Sequence, residues 1–244
     1  MKAFGITDRG IVRKENQDSF RYELIAKDEV LCAVLCDGMG GAQAGSLAST
    51  MAADTFMSHA SYSLDSSSDA SDMQRILVEA VNYANIKVYD RSFADFSCMG
   101  MGCTLVAALI NSKHCLISNV GDSRAYLIQK GHIQQISRDH SLVQELLAKG
   151  QIKPEQVRNH PQRNIITRAI GVEASVKCDI FDIKFPSGSR LLLCSDGLSN
   201  VLTDKEILQI SQDFSDIELA CKQMLNLALK RGAPDNVTVF IAER

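Results

Sequence analysis

The sequence predicts an α+β fold in which antiparallel sheets carry helices on their outer faces. Three observations point there. Apolar runs of strand length recur along the chain, while amphipathic helical stripes come in groups. The regular strand–helix alternation of a doubly wound parallel sheet is missing. Several apolar runs also deliver an aspartate at one end, most plainly Val30 to Cys36 running into Asp37-Gly38.

Taken in order, residues 2 to 8 and 19 to 26 read as two strands joined by a polar loop. Val30 to Cys36 is wholly apolar, the pattern of a strand buried on both faces. The glycines after Asp37 are expected to turn the backbone sharply. From Ala42 to about His59, Leu47, Ala48, Met51, Ala52, Thr55 and Phe56 fall on one helical face. A serine-rich loop at 61–71 separates this from a second amphipathic helix, Asp72 to about Arg91. The period then changes. Gly102–Ile110, His114–Val120, Arg124–Gln129 and Gly131–Ile136 read as consecutive strands with short turns. Residues 141–170 are polar, hold Pro154 and Pro161, and start with a short helix; they read as an excursion from the core. Val176–Phe185 and Arg190–Cys194 are strands again. Ile217–Leu229 is a helix stopped by Lys230-Arg231-Gly232, and Asn236–Ala242 is a closing strand. No linker composition divides residues 1–244, so one domain is expected, with the excursion at about 141–170.

Composition sets limits. The chain has 244 residues, 45% hydrophobic and 23% charged, with formal net charge −3. Its mean hydropathy is near zero. That balance suits a globular protein and disfavours a nucleic-acid binder, which needs a concentrated basic surface. No apolar stretch reaches bilayer length, and the N-terminus has no apolar core followed by a small-residue cleavage site. The 8 cysteines include no C-x-x-C pair and sit mostly in apolar runs. They read as buried hydrophobes in a reducing compartment, so a cytoplasmic location is expected.

The candidate chemistry lies in Asp18, Asp37, Asp122, Asp196 and Asp235. Buried carboxylates need a partner. A set drawn from separate elements, without cysteine or histidine, selects a hard, oxygen-preferring cation such as magnesium or manganese. Such an ion is the usual means of activating a water nucleophile. Arg13, in the first polar loop, could hold a phosphate oxygen bidentately. Spacing alone does not separate that role from a solvated loop arginine. Equally informative is what is missing. There is no C-x5-R loop, D-x-D start, G-x4-G-K-[ST] or G-x-S-x-G, which argues against a covalent phosphatase or a nucleotide kinase.

Six motifs in order carry a resemblance. They are Asp8-x-Gly10-x-x-Arg13-x-x-Asn16-Gln17-Asp18, Asp37-Gly38-Met39-Gly40-Gly41, Gly102-Cys103-Thr104, Gly121-Asp122-Ser123-Arg124, Ser195-Asp196-Gly197 and Pro234-Asp235-Asn236. Together they resemble the PP2C-type (PPM) metal-dependent serine/threonine protein phosphatases, in the compact bacterial form. The resemblance implies two antiparallel sheets packed as a central sandwich, flanked by helices on both sides. It implies two Mn2+ or Mg2+ ions, and a third in bacterial relatives. By position, Asp37 would bridge the two ions and Asp196 and Asp235 would complete the first. The Gly38 carbonyl would serve the second, and Asp18 would act there mainly through water. Asp122, with Asp196, would match the third site. Arg13 would hold the substrate phosphate, and residues 141–170 would form the flap beside the cleft. The implied activity is hydrolysis of phosphoserine and phosphothreonine by direct attack of a metal-activated water. Implied partners are phosphoproteins, including a serine/threonine kinase, and a monomer is expected. A catalytically weak regulator and a phosphohydrolase of small phosphoesters are the alternatives.

Two positions depart from many eukaryotic relatives. Met39 stands where a histidine is common, and Met39 has no proton to donate. Gln17 stands where an acidic residue is common, which makes the second site less negative. His140 could be imagined as a substitute acid, but its place at the start of the excursion favours a structural role.

Overall fold

The computed structural model describes residues 1–25, 29–41 and 44–244. β1 (Lys2–Asp8), β2 (Asp18–Ile25) and β3 (Val30–Met39) come first, followed by the helix pair α1 (Ala44–Ser63) and α2 (Ala70–Ala94). Next are β4 (Gly102–Cys103), β5 (Leu105–Ile110), β6 (Cys115–Val120), β7 (Arg124–Gln129) and β8 (His132–Gln135). The excursion carries α3 (Leu142–Ala148) and α4 (Pro154–Val157). β9 (Asp179–Ile183), β10 (Arg190–Cys194), α5 (Asp196–Ser199), α6 (Asp204–Asp213), α7 (Ile217–Lys230) and β11 (Val237–Glu243) complete the chain.

The strands form two antiparallel sheets. One runs β1-β11-β10-β7-β8; the other runs β2-β3-β5-β6-β9, with β4 paired to β3. Alternation along the strands builds four layers. In β3, Val30, Cys32, Val34 and Cys36 face the helix pair α1/α2, while Leu31, Ala33 and Leu35 face the other sheet. In β10, Leu192 and Cys194 pack under α6 and α7, while Leu191 and Leu193 point inward. Both faces of these strands are therefore dry, which is why their sequences are apolar without interruption. Truncating such a side chain, Leu35→Ala for instance, costs about 2–5 kcal/mol.

Several elements differ from expectation. β3 does not stop at Cys36. It continues through Asp37-Gly38 to Met39, because Asp37 pairs with Asp18 on β2 and Gly38 pairs with Cys103 on β4. Helix α1 runs on to Ser63 and α2 starts at Ala70, so the serine-rich loop shrinks to 64–69. The Asp69 side chain caps α2 by accepting the Asp72 N–H at 2.9 Å. Ala26, the end of the expected second strand, and Ala42, the start of the expected first helix, lie outside the described residues. Helix α6 was not anticipated, although its signal is local: Thr203 and Glu206 form a reciprocal capping box ahead of Ile207 and Ile210. All 8 cysteines are free thiols. Among the described residues, no helix is long and apolar enough to cross a membrane.

Candidate metal centre

The expected site residues meet at one end of the sandwich. Asp18 and Asp37 are directly opposed on β2 and β3. Asp122 sits in the turn between β6 and β7, Asp196 opens α5 after β10, and Asp235 leads into β11. The glycine after each of two aspartates has a steric reason. A Cβ at Gly38 would lie 2.1 Å from the Gly45 carbonyl oxygen, and one at Gly197 would lie 1.9 Å from that of Asn236. Close approach of a neighbouring backbone, rather than a turn, demands glycine here.

Electrostatics bind the five carboxylates into one group. Burial, with smaller contributions from Asp196 and Asp235, pushes Asp18 up to about 7 against the lowering hydrogen bonds from Thr238 and Ser195. Burial and then Asp196 raise Asp122 to about 8. Burial and then Asp235 raise Asp196 to about 6. Asp37 rises well above the carboxylate range through burial, with the other four aspartates adding to it. Three carboxylate oxygens, Oδ1 of Asp18, Asp122 and Asp196, are buried with no hydrogen-bond partner. Buried polar atoms are seldom left so, since each orphan costs about 1–3 kcal/mol or more. Oxygens of this kind fit a divalent cation. Among the described residues, no three carboxylate, thiol or imidazole side chains are grouped closely enough to hold an ion by themselves. The unpartnered donors are all carboxylate oxygens, which suits a hard, oxygen-preferring ion.

The ends not left open are firmly held. Asp18 Oδ2 accepts from Ser195 Oγ at 2.7 Å and from Thr238 Oγ1 at 2.6 Å. Thr238 Oγ1 lies 2.7 Å from Thr7 Oγ1, which accepts from Asn16 Nδ2 at 2.9 Å. Because Thr238 gives its proton to Asp18, the chain of donors runs one way, from Asn16 through Thr7 and Thr238 to the carboxylate. It crosses from one sheet to the other and leaves Asp18 Oδ1 as the free oxygen. Asp37 is fixed by its backbone: its N–H donates to Thr104 Oγ1 at 2.9 Å, and its carbonyl accepts the Thr104 N–H at 2.8 Å. Thr104 Oγ1 in turn lies 2.7 Å from Ser123 Oγ, beside Asp122. Asp196 Oδ2 accepts from Asn200 Nδ2 at 3.0 Å. Sequence reasoning gave Thr7, Thr238 and Asn200 no role. The spacing Asn236-x-Thr238 was the available sign for one of them.

Arg13 projects over this group and donates from Nη2 to Asp235 Oδ2 at 2.7 Å. Its side chain is 53% exposed, so the other N–H groups are open to solvent. That hydrogen bond, with Asp235, Asp37 and Asp196 nearby, raises its pKa above the usual arginine value. His140 has structural contacts. Its Nδ1 accepts the Gly121 N–H at 3.0 Å, and its Nε2 faces Asp179 Oδ2 at 3.2 Å. It clamps the Asp122 turn to the root of the excursion, and burial holds its pKa below the usual value. Met39 lines a separate cavity of about 390 Å3 with residues 166–177.

Comparison with known proteins identifies the family and the fold. The family model described as Protein phosphatase 2C matches residues 11–231. The serine/threonine phosphatase stp of Listeria monocytogenes is 37% identical over 98% of this chain and 94% of its own length. The crystal structure of the serine/threonine phosphatase Stp1 from Staphylococcus aureus superposes with a TM-score of 0.90 at 36% identity, covering 100% of this chain and 94% of that one. The catalytic domain of the phosphatase PstP, in complex with two manganese ions, gives a TM-score of 0.82 at 33% identity, covering 99% and 97%. With the family model, the near-full-length relatives and the fold in agreement, this chain belongs to the protein phosphatase 2C family.

Proposed function

We propose that the protein hydrolyses phosphoserine and phosphothreonine in other proteins, as a metal-dependent phosphatase. The observation that carries this is the set of three buried, unpartnered carboxylate oxygens in a cluster whose Asp235 holds a solvent-exposed arginine, Arg13. Near-full-length similarity to serine/threonine phosphatases supports the substrate class.

Asp37 would bridge two ions, with Asp196 and Asp235 completing the first. The Gly38 carbonyl and, through water, Asp18 would serve the second, and Asp122 with Asp196 a third. When bound, Mn2+ or Mg2+ supplies a water activated for attack on phosphorus and neutralises charge on the phosphoryl oxygens. The chain does the rest. Arg13 turns from Asp235 towards the incoming phosphate and orients it through its planar fork. The hydroxyl chain through Thr7 and Thr238 fixes the Asp18 carboxylate, which would hold its free oxygen ready for the second ion. Met39 has no proton to give, so the leaving serine or threonine is protonated from another source. Residues 141–170 act as a flap that biases substrate choice within a single 1–244 domain. A cytoplasmic monomer acting on phosphoproteins, a serine/threonine kinase among them, is the setting that fits.

The test compares turnover of phosphothreonine peptides and small phosphoesters with manganese, with magnesium and in excess chelator. Metal-dependent hydrolysis favouring the peptides is expected. Undiminished activity after chelation and dialysis would overturn the metal reading. Turnover confined to small phosphoesters would overturn the substrate class.

A further inference from the structure

A cavity of about 560 Å3 lies beside the carboxylate cluster, lined at once by Asp122 and Asp196 and by Arg158, Arg163 and Lys205. The first two cations belong to the excursion; Lys205 is on α6. Arg124 and Asp139 also line it but satisfy each other, Nη2 to Oδ2 at 2.7 Å and Nε to Oδ1 at 3.0 Å. The other three cations have no such partner. Arg158 donates to the backbone carbonyl of Asn200 at 3.2 Å, and Arg163 to that of Arg158 at 2.8 Å. Neither guanidinium, nor the Lys205 ammonium, forms an ion pair with a carboxylate among the described residues. A guanidinium has five donors, so most of theirs remain available. Once Asp122 and Asp196 serve metal ions, Asp204 is the remaining carboxylate on the wall against three cations. Like charges facing one cavity repel, and an anion entering it removes that repulsion.

The geometry points to an anion subsite next to the hydrolytic centre, which takes a second acidic side chain of the phosphoprotein flanking the residue being dephosphorylated. This inference rests on the proposed phosphatase activity and adds a substrate preference to it. The shared chemistry is an oxyanion, either the carboxylate of Asp or Glu or a second phosphorylated residue. The volume lies within the range of ligand pockets and is ample for a side chain with its waters.

The test uses the full chain loaded with manganese. Phosphothreonine peptides differ only in carrying Glu, phosphoserine, Ala or Lys, scanned through the positions on either side. On one flank, Glu is expected to raise kcat/KM about three- to thirtyfold over Lys, as for a few partly exposed charge pairs. Added salt should shrink that ratio. Phosphoserine gaining more than Glu identifies a doubly phosphorylated sequence as the preferred source; an equal gain identifies any acidic sequence. Lys205→Glu and Arg158→Gln should each pull the Glu-to-Lys ratio towards one. The ratio is internal to one preparation, so partial loss of folded enzyme does not disturb it. Phosphopeptide turnover that discriminates by less than about twofold at every position, or a ratio unmoved by Lys205→Glu, overturns the subsite and leaves the phosphatase reading standing. Failure to hydrolyse any of these peptides with manganese overturns both.

Discussion

The two sides of the cleft are built on different principles. On one side, the aspartates sit on or beside strands whose faces are both buried, and hydrogen bonds from Ser195, Thr238 and Asn200 fix their outer oxygens. On the other side, residues 141–170 bury only Val143, Ala169 and Ile170 among their hydrophobic side chains. Antiparallel contacts at their two roots, Ser141 with Ile166 and Cys103 with Ile170, tie them down. The rigid side can hold charges that repel one another; the lightly anchored side can adapt to different peptides. On the proposed reading, hydrolysis and recognition would be separated in space, and each should respond to its own substitutions.

The largest effect belongs to the rigid side. Asp37→Asn keeps the volume and removes the charge at the centre of the group. Activity at saturating manganese should fall by more than about a hundredfold, because losing even an outer partner of a metal ligand costs 10–100-fold. Asp18→Asn should cost less and be partly rescued by more metal. The reverse ranking would mean that the centre lies elsewhere.

Arg13→Ala comes next. It should lower kcat/KM about tenfold to a hundredfold, mainly through KM, and Arg13→Lys should recover part of that. Manganese affinity should not fall, since Asp235 is released rather than lost. Wild-type kinetics in Arg13→Ala would return this residue to the role of a solvated loop arginine.

Thr238→Val tests whether positioning on the rigid side matters in its own right. It should weaken manganese binding about tenfold and be restored by Thr238→Ser. Calorimetric titration reads this without reference to turnover. Unchanged binding would show that Asp18 needs no support.

The pH dependence is smaller and has a definite sign. Burial and mutual repulsion push Asp18, Asp122 and Asp196 up to about 7, 8 and 6 in the folded chain. In the unfolded chain they titrate at about 4. A raised folded-state value contributes stability that is fully present below the unfolded pKa and is lost as pH rises through 6–8. The chelated protein should therefore melt at a lower temperature at pH 8.5 than at pH 5.5, and manganese should stabilise it most at the higher pH. A chelated Tm that climbs over that interval would contradict the clustering of these carboxylates.

The difference between the two sides also governs what the sequence could reveal. The uninterrupted apolar runs around Asp37 and Asp196 were readable because both faces of β3 and β10 are buried, and the family motifs followed from them. The reason for glycine at 38 and 197 was not readable, since it lies in backbones distant in sequence: Gly45 for one, Asn236 for the other. The donor chain through Thr7 and Thr238 depends on the register of β1 against β11, which no local pattern encodes. Helix α6 was missed although its Thr203–Glu206 box is local; there the signal existed and went unused. The cations at 158, 163 and 205 carry no local signal in the sequence, because only the folded excursion brings them to one cavity with α6.

The central claim is that these aspartates form a metal centre built around Asp37. Titrating manganese into the chelator-treated protein at pH 8, by calorimetry, counts the ions directly. The account predicts two tightly bound ions per chain, with binding of both lost or severely weakened in Asp37→Asn while the variant keeps its folded circular-dichroism spectrum. Two ions bound equally well by the folded Asp37→Asn protein would contradict it.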